Sequence, residues 1–230
     1  MENKVAVITG GSSGAGEALA YKFSSEGFDI VIGGTNPKRL RNVQSNILKI
    51  GSKCEYIVHD ISVNKDVKKM IDLTIKSFGR IDVLICNAGI SYRSIFEHVN
   101  IDVFEKLFKI NFFGSVYSVK HSIPYLIKSK GCIIAISSLN GFIATPTRSA
   151  YVSSKHAMQG FFDSLRLELK TKDVHVMVAS PGYFSSNFRK NTLKSDGNRE
   201  GESSRDEKGM ITSEDVANSC LLYTSPSPRD

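Results

Sequence analysis

Six short apolar runs, separated by amphipathic stretches long enough for helices, constrain this chain more than any other feature. The runs occupy residues 4–9, 28–32, 54–59, 81–86, 132–137 and 174–179. Between them, apolar residues at helical spacing predict helices over 14–26, 37–50, 64–78, 101–128 and 150–172. The strand candidates are continuously apolar rather than alternating. Such strands are covered on both faces, which calls for a parallel sheet with helices on either side. Right-handed crossovers then wind the chain into a doubly wound α/β sandwich. No linker or repeat divides it, so residues 1–219 read as one domain.

Composition narrows the function. At 230 residues, 41% hydrophobic and 23% charged, the chain fits one large globular domain. No apolar run approaches the ~20 residues of a membrane span, and the N-terminus lacks a signal-peptide core. Lys and Arg number 30 against 23 Asp and Glu, a net charge of +7. These cations are spread along the chain, with no basic stripe interleaved with aromatics, so nucleic acid is not an expected partner. A positive field suits an anionic small molecule such as a phosphorylated cofactor. The four cysteines lie far apart without a CxxC pair, and the five histidines are scattered. The expectation is reduced thiols, a cytoplasmic location and no metal site.

Two patterns carry chemistry. Thr9-Gly10-Gly11-Ser12-Ser13-Gly14-Ala15-Gly16 follows the first strand and opens the first helix. A pyrophosphate needs backbone N–H groups brought close. Glycine allows both the tight turn and the approach, and a helix N-terminus adds favourable partial charge. Tyr151 and Lys155 are four residues apart on a predicted helix and share one face. A phenol with a pKa of about 10 becomes a better acid–base group near neutral pH when an ammonium stabilises its phenolate.

Four ordered motifs make the chain resemble the short-chain dehydrogenase/reductase family over residues 4–219. They are the TGxxxGxG loop at 9–16, Cys86-Asn87-Ala88-Gly89 for the family's NNAG, Tyr151-Val152-Ser153-Ser154-Lys155 for YxxxK, and Pro181-Gly182. Cys86 replaces the first Asn of the second motif. The resemblance implies a Rossmann-like fold and hydride transfer between a nicotinamide and a carbonyl or alcohol carbon. It places Thr9, Gly10, Ser12, Ser13, Gly14, Gly16, Asn87, Ala88 and Gly89 around the dinucleotide, and Pro181 and Gly182 beside the nicotinamide. Asp60 matches the position that contacts adenine; read by itself it is a turn or N-cap residue. Ser138, thirteen residues before Tyr151, matches the serine that binds the substrate oxygen, although Ser137 is its neighbour. Tyr151 is implied as the proton donor or acceptor, and Lys155 as the partner of the nicotinamide ribose. Asn111 matches an asparagine that holds a relay water near Lys155; alternatively it is a buried polar residue bonded to backbone. No GxSxG elbow supports a hydrolase.

Cofactor choice is set after the second strand, where an acid favours NAD and a base favours NADP. The acidic position is Gly34, followed by Thr35, Asn36, Pro37, Lys38 and Arg39. With no carboxylate to repel a 2′-phosphate, NADP (as NADPH) is expected, with NAD as the alternative. Thr35 would contact the phosphate, assisted by Asn36, Lys38 or Arg39. The substrate is then a small-molecule ketone or aldehyde. The alternatives are NAD-dependent alcohol oxidation and a nucleotide-binding scaffold without turnover. Tyr183, Phe184, Asn187 and Phe188 are candidates for one substrate wall, and residues 90–93, Leu139, Asn140, Phe142 and Ile143 for the other. Residues 191–201 resemble the lipid- or steroid-directed reductases of the family.

Three regions need separate readings. Residues 189–209 are almost wholly polar and form either a surface excursion or a lid over the substrate. Residues 220–230 read as a non-native or disordered tail, resembling translated sequencing adapter from about Leu221, with the last strand missing. The helices around 104–125 and 158–169 are apolar on more than one side, as expected of a homodimer or homotetramer interface or of burial within one domain.

Overall fold

A computed structural model describes residues 3–182, 191–199, 201, 209–222 and 224. Six parallel strands form one sheet: β1 (Val5–Thr9), β2 (Asp29–Gly34), β3 (Cys54–Val58), β4 (Val83–Cys86), β5 (Cys132–Ile136) and β6 (His175–Ala179). Their order is β3-β2-β1-β4-β5-β6. The chain builds outward from β1 in one direction and then, from β4, in the other. The crevice at this reversal lies at the carboxyl ends of β1 and β4, where doubly wound sheets bind ligands.

Residue alternation along each strand assigns the two faces. Ala6, Ile8, Ile30, Ile32, Ile85 and Ile134 pack with α1 (Gly14–Ser25) and α2 (Pro37–Ile50). Val5, Val7, Val31, Leu84 and Ile133 face α3 (Asn64–Phe78) and more C-terminal helices. The ends of α2 follow local chemistry. Asn36 Oδ1 accepts from Arg39 N at 3.0 Å, Pro37 sits in the first turn, and Gly51 closes the helix at φ 101°.

Two elements differ from the sequence expectation. The predicted helix over 101–128 is divided into α4 (Ile101–Phe108), a π turn (Lys109–Phe113) and α5 (Gly114–Ser129). A π turn holds an extra residue per turn, which turns the following side chains without ending the helix. Asn111 lies in it and is fully buried. The next helix, α6 (Ser149–Leu169), lies close to its predicted span. The sequence reading had no counterpart to α7 (Ser213–Leu222), which packs on α1 and buries Val216, Ala217 and Cys220 in the first core. The boundary drawn at residue 219 therefore falls inside a helix.

Candidate active site

The carboxyl ends of the strands open into a cavity of about 630 Å³. Its floor is the glycine loop. Gly10 and Gly14 take φ of 67° and 57°, where an L side chain is strained. A Cβ on Gly10 would lie 2.9 Å from Ala88 Cα, and one on Gly16 would run into the Gly10 carbonyl oxygen. The loop is thus compressed against the β4 end, and its backbone faces the cavity. Ser13 is the N-cap of α1 but makes no side-chain capping bond, so no hydroxyl covers the first-turn amides. An anion is the complementary occupant. These residues fit the phosphates of a dinucleotide.

Thr9 and Asn87 act behind this floor. Thr9 Oγ1 donates to the Ile85 carbonyl at 3.2 Å and accepts from the amides of Asn87 and Ala88 at 2.9 and 3.0 Å. The Asn87 amide donates to the carbonyls of Thr9 and Gly10 at 3.0 and 3.2 Å. Thr9 and Gly16 do not line the cavity; they hold the loop that does. Gly10, Ser12, Ser13, Gly14, Asn87, Ala88 and Gly89 all line it.

Beyond β2, Thr35 and Arg39 line the cavity and Lys38 does not. A Cβ on Gly34 would sit 3.2 Å from Ser12 Oγ, so this position faces the same lobe. Asp60 lines the cavity while its Oδ1 accepts from the amide and hydroxyl of Ser62 at 2.9 and 2.7 Å. The turn role and the cavity position hold together.

At the opposite wall, Ser138 begins a 3-10 turn, and its Oγ accepts from Asn140 N at 3.2 Å. Ser138 and Ser137 both border the cavity, but Ser137 Oγ is sealed from solvent and has no partner among the described residues. It points toward Gly141, where a Cβ would come within 2.8 Å of it. The geometry therefore distinguishes the two serines. Tyr151 and Lys155 lie on α6, and Lys155 Nζ is 5.9 Å from the Tyr151 ring centroid, within cation–π range. Lys155 is 4% exposed and donates to the Ile136 carbonyl at 2.8 Å. Burial pushes its ammonium down from 10.5 to about 8.

Asn111 does not line the cavity. Its Oδ1 accepts from Ile90 N at 2.8 Å, and its Nδ2 donates to Ile90 O at 3.0 Å and Ser154 Oγ at 3.1 Å. Its side chain fixes the segment after β4 to α6. Pro181 and Gly182 border the cavity. Tyr183, Phe184, Asn187 and Phe188 lie outside the described residues, as do 189–190, 200 and 202–208. Of the other wall candidates, Ile90, Ser91 and Asn140 line the cavity, Tyr92 is buried behind it, and Arg93 is exposed. Leu139, Phe142 and Ile143 are exposed, and none lines it.

Sequence reasoning missed Lys106, Arg148 and Arg199, which also line the cavity. Arg148 had a legible signal, because it lies three residues before Tyr151. Arg199 had none, because its place depends on a hairpin in which Leu193 bridges both Tyr92 and Arg199.

All four cysteines are buried and unpaired, and burial pushes each thiol up to about 12. Among the described residues no helix is long and apolar enough to cross a membrane.

Known proteins share this arrangement. A family profile described as short chain dehydrogenase matches residues 4–197. Dehydrogenase/reductase SDR family member 7B of Rattus norvegicus is 38% identical over 209 residues, 87% of this chain and 64% of the rat protein. The 11-beta-hydroxysteroid dehydrogenase 1A of Arabidopsis thaliana is 39% identical over 185 residues, 80% of this chain and 53% of its own length. The chain thus spans less than two thirds of either relative. An alcohol dehydrogenase structure from Thermococcus sibiricus, complexed with 5-hydroxy-NADP, superposes with a TM-score of 0.87 at 26% identity, covering 97% of this chain and 92% of that one. A metagenomic short-chain oxidoreductase in complex with NADP gives 0.83 at 26%, covering 100% and 94%. Because the profile runs from β1 to the turn at Gly197, this chain belongs to the short-chain dehydrogenase/reductase family.

Proposed function

We propose that this chain reduces a ketone or aldehyde with NADPH, Tyr151 giving the proton. One observation carries the reading: Ser138, Tyr151 and Lys155 border the cavity whose floor is the glycine cradle. The glycine loop and the segment at Asn87–Gly89 would hold a nicotinamide dinucleotide, whose chemistry when bound would be hydride donation. The Ser138 hydroxyl donates to the carbonyl oxygen while still accepting from Asn140 N. Tyr151 passes its proton to that oxygen as the alcohol forms, and the Lys155 ammonium stabilises the phenolate left behind. Lys155 keeps one N–H on Ile136 O. Its other donors serve the ribose hydroxyls and the proton's return to Tyr151. Asn111 positions Ile90 and α6 and does not itself touch the reaction.

The cofactor preference rests on Gly34, which offers no carboxylate, and on Thr35 and Arg39 in the same lobe. Both structural relatives at 26% identity hold an NADP compound. Assembly as a homodimer or homotetramer belongs to the same reading. Phe113, stacked on Tyr117 and 41% exposed, and Leu167, 75% exposed, offer apolar surface on the long helices.

The test is carbonyl-dependent NADPH oxidation by the wild type and by Tyr151→Phe. The variant should lose roughly 10²- to 10⁴-fold in turnover while binding NADPH nearly as well. Equal turnover in the two proteins would remove Tyr151 from the mechanism.

A further inference from the structure

Tyr151 stands where a helix is weakest. It is the third residue of α6, and the first turn of a helix holds amides with no intrahelical partner. A side-chain oxygen at the N-cap normally accepts from one of them. Here the N-cap is Arg148, whose guanidinium carries no acceptor and makes no capping bond. Ser149, the next residue, has a buried hydroxyl with no hydrogen-bond partner among the described residues. The turn that carries the phenol is therefore held by something other than a cap.

The approach to the helix is strained as well. Thr147 takes a φ of 64°, a left-handed conformation that a β-branched residue rarely adopts. Such a residue persists only where its surroundings over-determine it. Two bonds to the segment after β4 do so. Ser94 N donates to the Thr147 carbonyl at 2.9 Å, and Arg148 Nη1 donates to Ser91 Oγ at 2.6 Å. Ser91 is 1% exposed, so water does not compete for its hydroxyl. A charged donor makes this one of the stronger kinds of hydrogen bond.

Residues 90–94 form a firm anchor. Asn111 exchanges bonds with the Ile90 backbone at 2.8 and 3.0 Å. The Leu193 amide donates to the Ser91 carbonyl, and the Leu193 carbonyl accepts from Arg93 N, at 2.9 Å each. Tyr92 is fully buried in one apolar cluster with Ala150 and Tyr151, and its hydroxyl donates to the Ser94 carbonyl at 3.2 Å. The first turn of α6 is thus docked on a segment that is itself tied to the π turn and to the hairpin at Leu193.

We infer that Ser91 and Arg148 are positioning residues, whose bond locks the first turn of α6 and so sets where Tyr151 presents its hydroxyl. This rests on the carbonyl-reducing reading for the role of Tyr151, and it adds what aims the phenol. Both side chains act through the helix and not on the substrate. Lys155, one turn further along, keeps its own bond to the Ile136 carbonyl at 2.8 Å. Loosening the first turn therefore falls on the phenol and leaves the ammonium in place. A small misplacement of a proton donor is enough to slow a reaction severely.

The experiment compares the wild type, Ser91→Ala, Arg148→Met and the double variant by two readouts. Amide hydrogen exchange needs no turnover. It follows residues 152–155, whose helical bonds end on the first turn, Val152 N on the Arg148 carbonyl at 2.8 Å. These amides should exchange roughly tenfold faster in each variant, while residues 160–169 keep their rate. Turnover is read with NADPH and 4-nitrobenzaldehyde or cyclohexanone. The kcat should fall roughly ten- to a hundredfold, with the KM for NADPH unchanged. The double variant should lose no more than the worse single variant, because both substitutions remove one bond. Losses that multiply would show the two residues acting separately and overturn the inference. Unchanged exchange at 152–155 would overturn it too, as would faster exchange with an unchanged kcat. A wild type that reduces neither carbonyl while exchange responds as expected would sink the catalytic reading and leave the docking of the first turn in place. Full turnover with unresponsive exchange would sink only this inference.

Discussion

At the scale of single residues, the site depends on side chains that never touch a ligand as much as on those that do. Thr9 closes three hydrogen bonds between the ends of β1 and β4. Thr9→Val keeps the shape and strands two amides, so it should cost about 2 to 4 kcal/mol in urea denaturation. Gly34 works by offering no charge. Gly34→Asp places a carboxylate in the lobe beside Thr35 and Arg39 and should shift the proposed NADPH preference toward NADH, read as the ratio of dissociation constants. Lys155 links the site to stability. At pH below about 8 its ammonium is present folded and unfolded, and burial opposes folding. Between about 8 and 10.5 the folded chain releases the proton first, so the ligand-free protein gains stability as pH rises. The wild-type unfolding free energy minus that of Lys155→Met should therefore grow from pH 8 to pH 10, and a flat difference would place the ammonium in water.

Elements explain what could be read in advance and what could not. The strands were legible because burial on both faces leaves uninterrupted apolar runs, and α2 because Asn36, Pro37 and Gly51 mark its ends. The glycine loop and the Tyr151–Lys155 pair were legible because their chemistry fixes spacing within one turn or helix. The π turn at Lys109–Phe113 was not. Asn111 inside it is bonded to Ile90 and Ser154, tertiary bonds that local periodicity does not carry. The wall around Tyr151 was hidden for the same reason, since Arg199 arrives from a hairpin far along the chain. Helix α7 did have a signal. Thr212 and Asp215 form a reciprocal cap, Thr212 Oγ1 accepting from Asp215 N at 3.1 Å and Asp215 Oδ2 accepting from Thr212 N at 2.8 Å. Because α7 seals α1, Ala217→Asp should bury an unpaired carboxylate and lower stability by several kcal/mol, seen as a shift in the urea midpoint.

On the scale of the whole molecule, a sheet reversed at β1 and β4 brings the glycine loop and Tyr151 to one opening. Six strand ends supply the walls, so residues separated by more than a hundred positions border one cavity. The same packing hides all four thiols. Cys54, Cys86, Cys132 and Cys220 should resist a thiol reagent at pH 8 in the native protein and react together on unfolding. Rapid labelling of Cys220 alone would show that α7 opens from α1 independently.

The most direct measurement is titration of the protein with NADPH and then NADH, following reduced-nicotinamide fluorescence. The geometry of the glycine cradle and of the Gly34–Arg39 lobe predicts saturable binding of both, tighter for NADPH. Binding of neither would contradict the dinucleotide site itself, and tighter binding of NADH would contradict the assignment of the 2′-phosphate to the lobe beside Thr35 and Arg39.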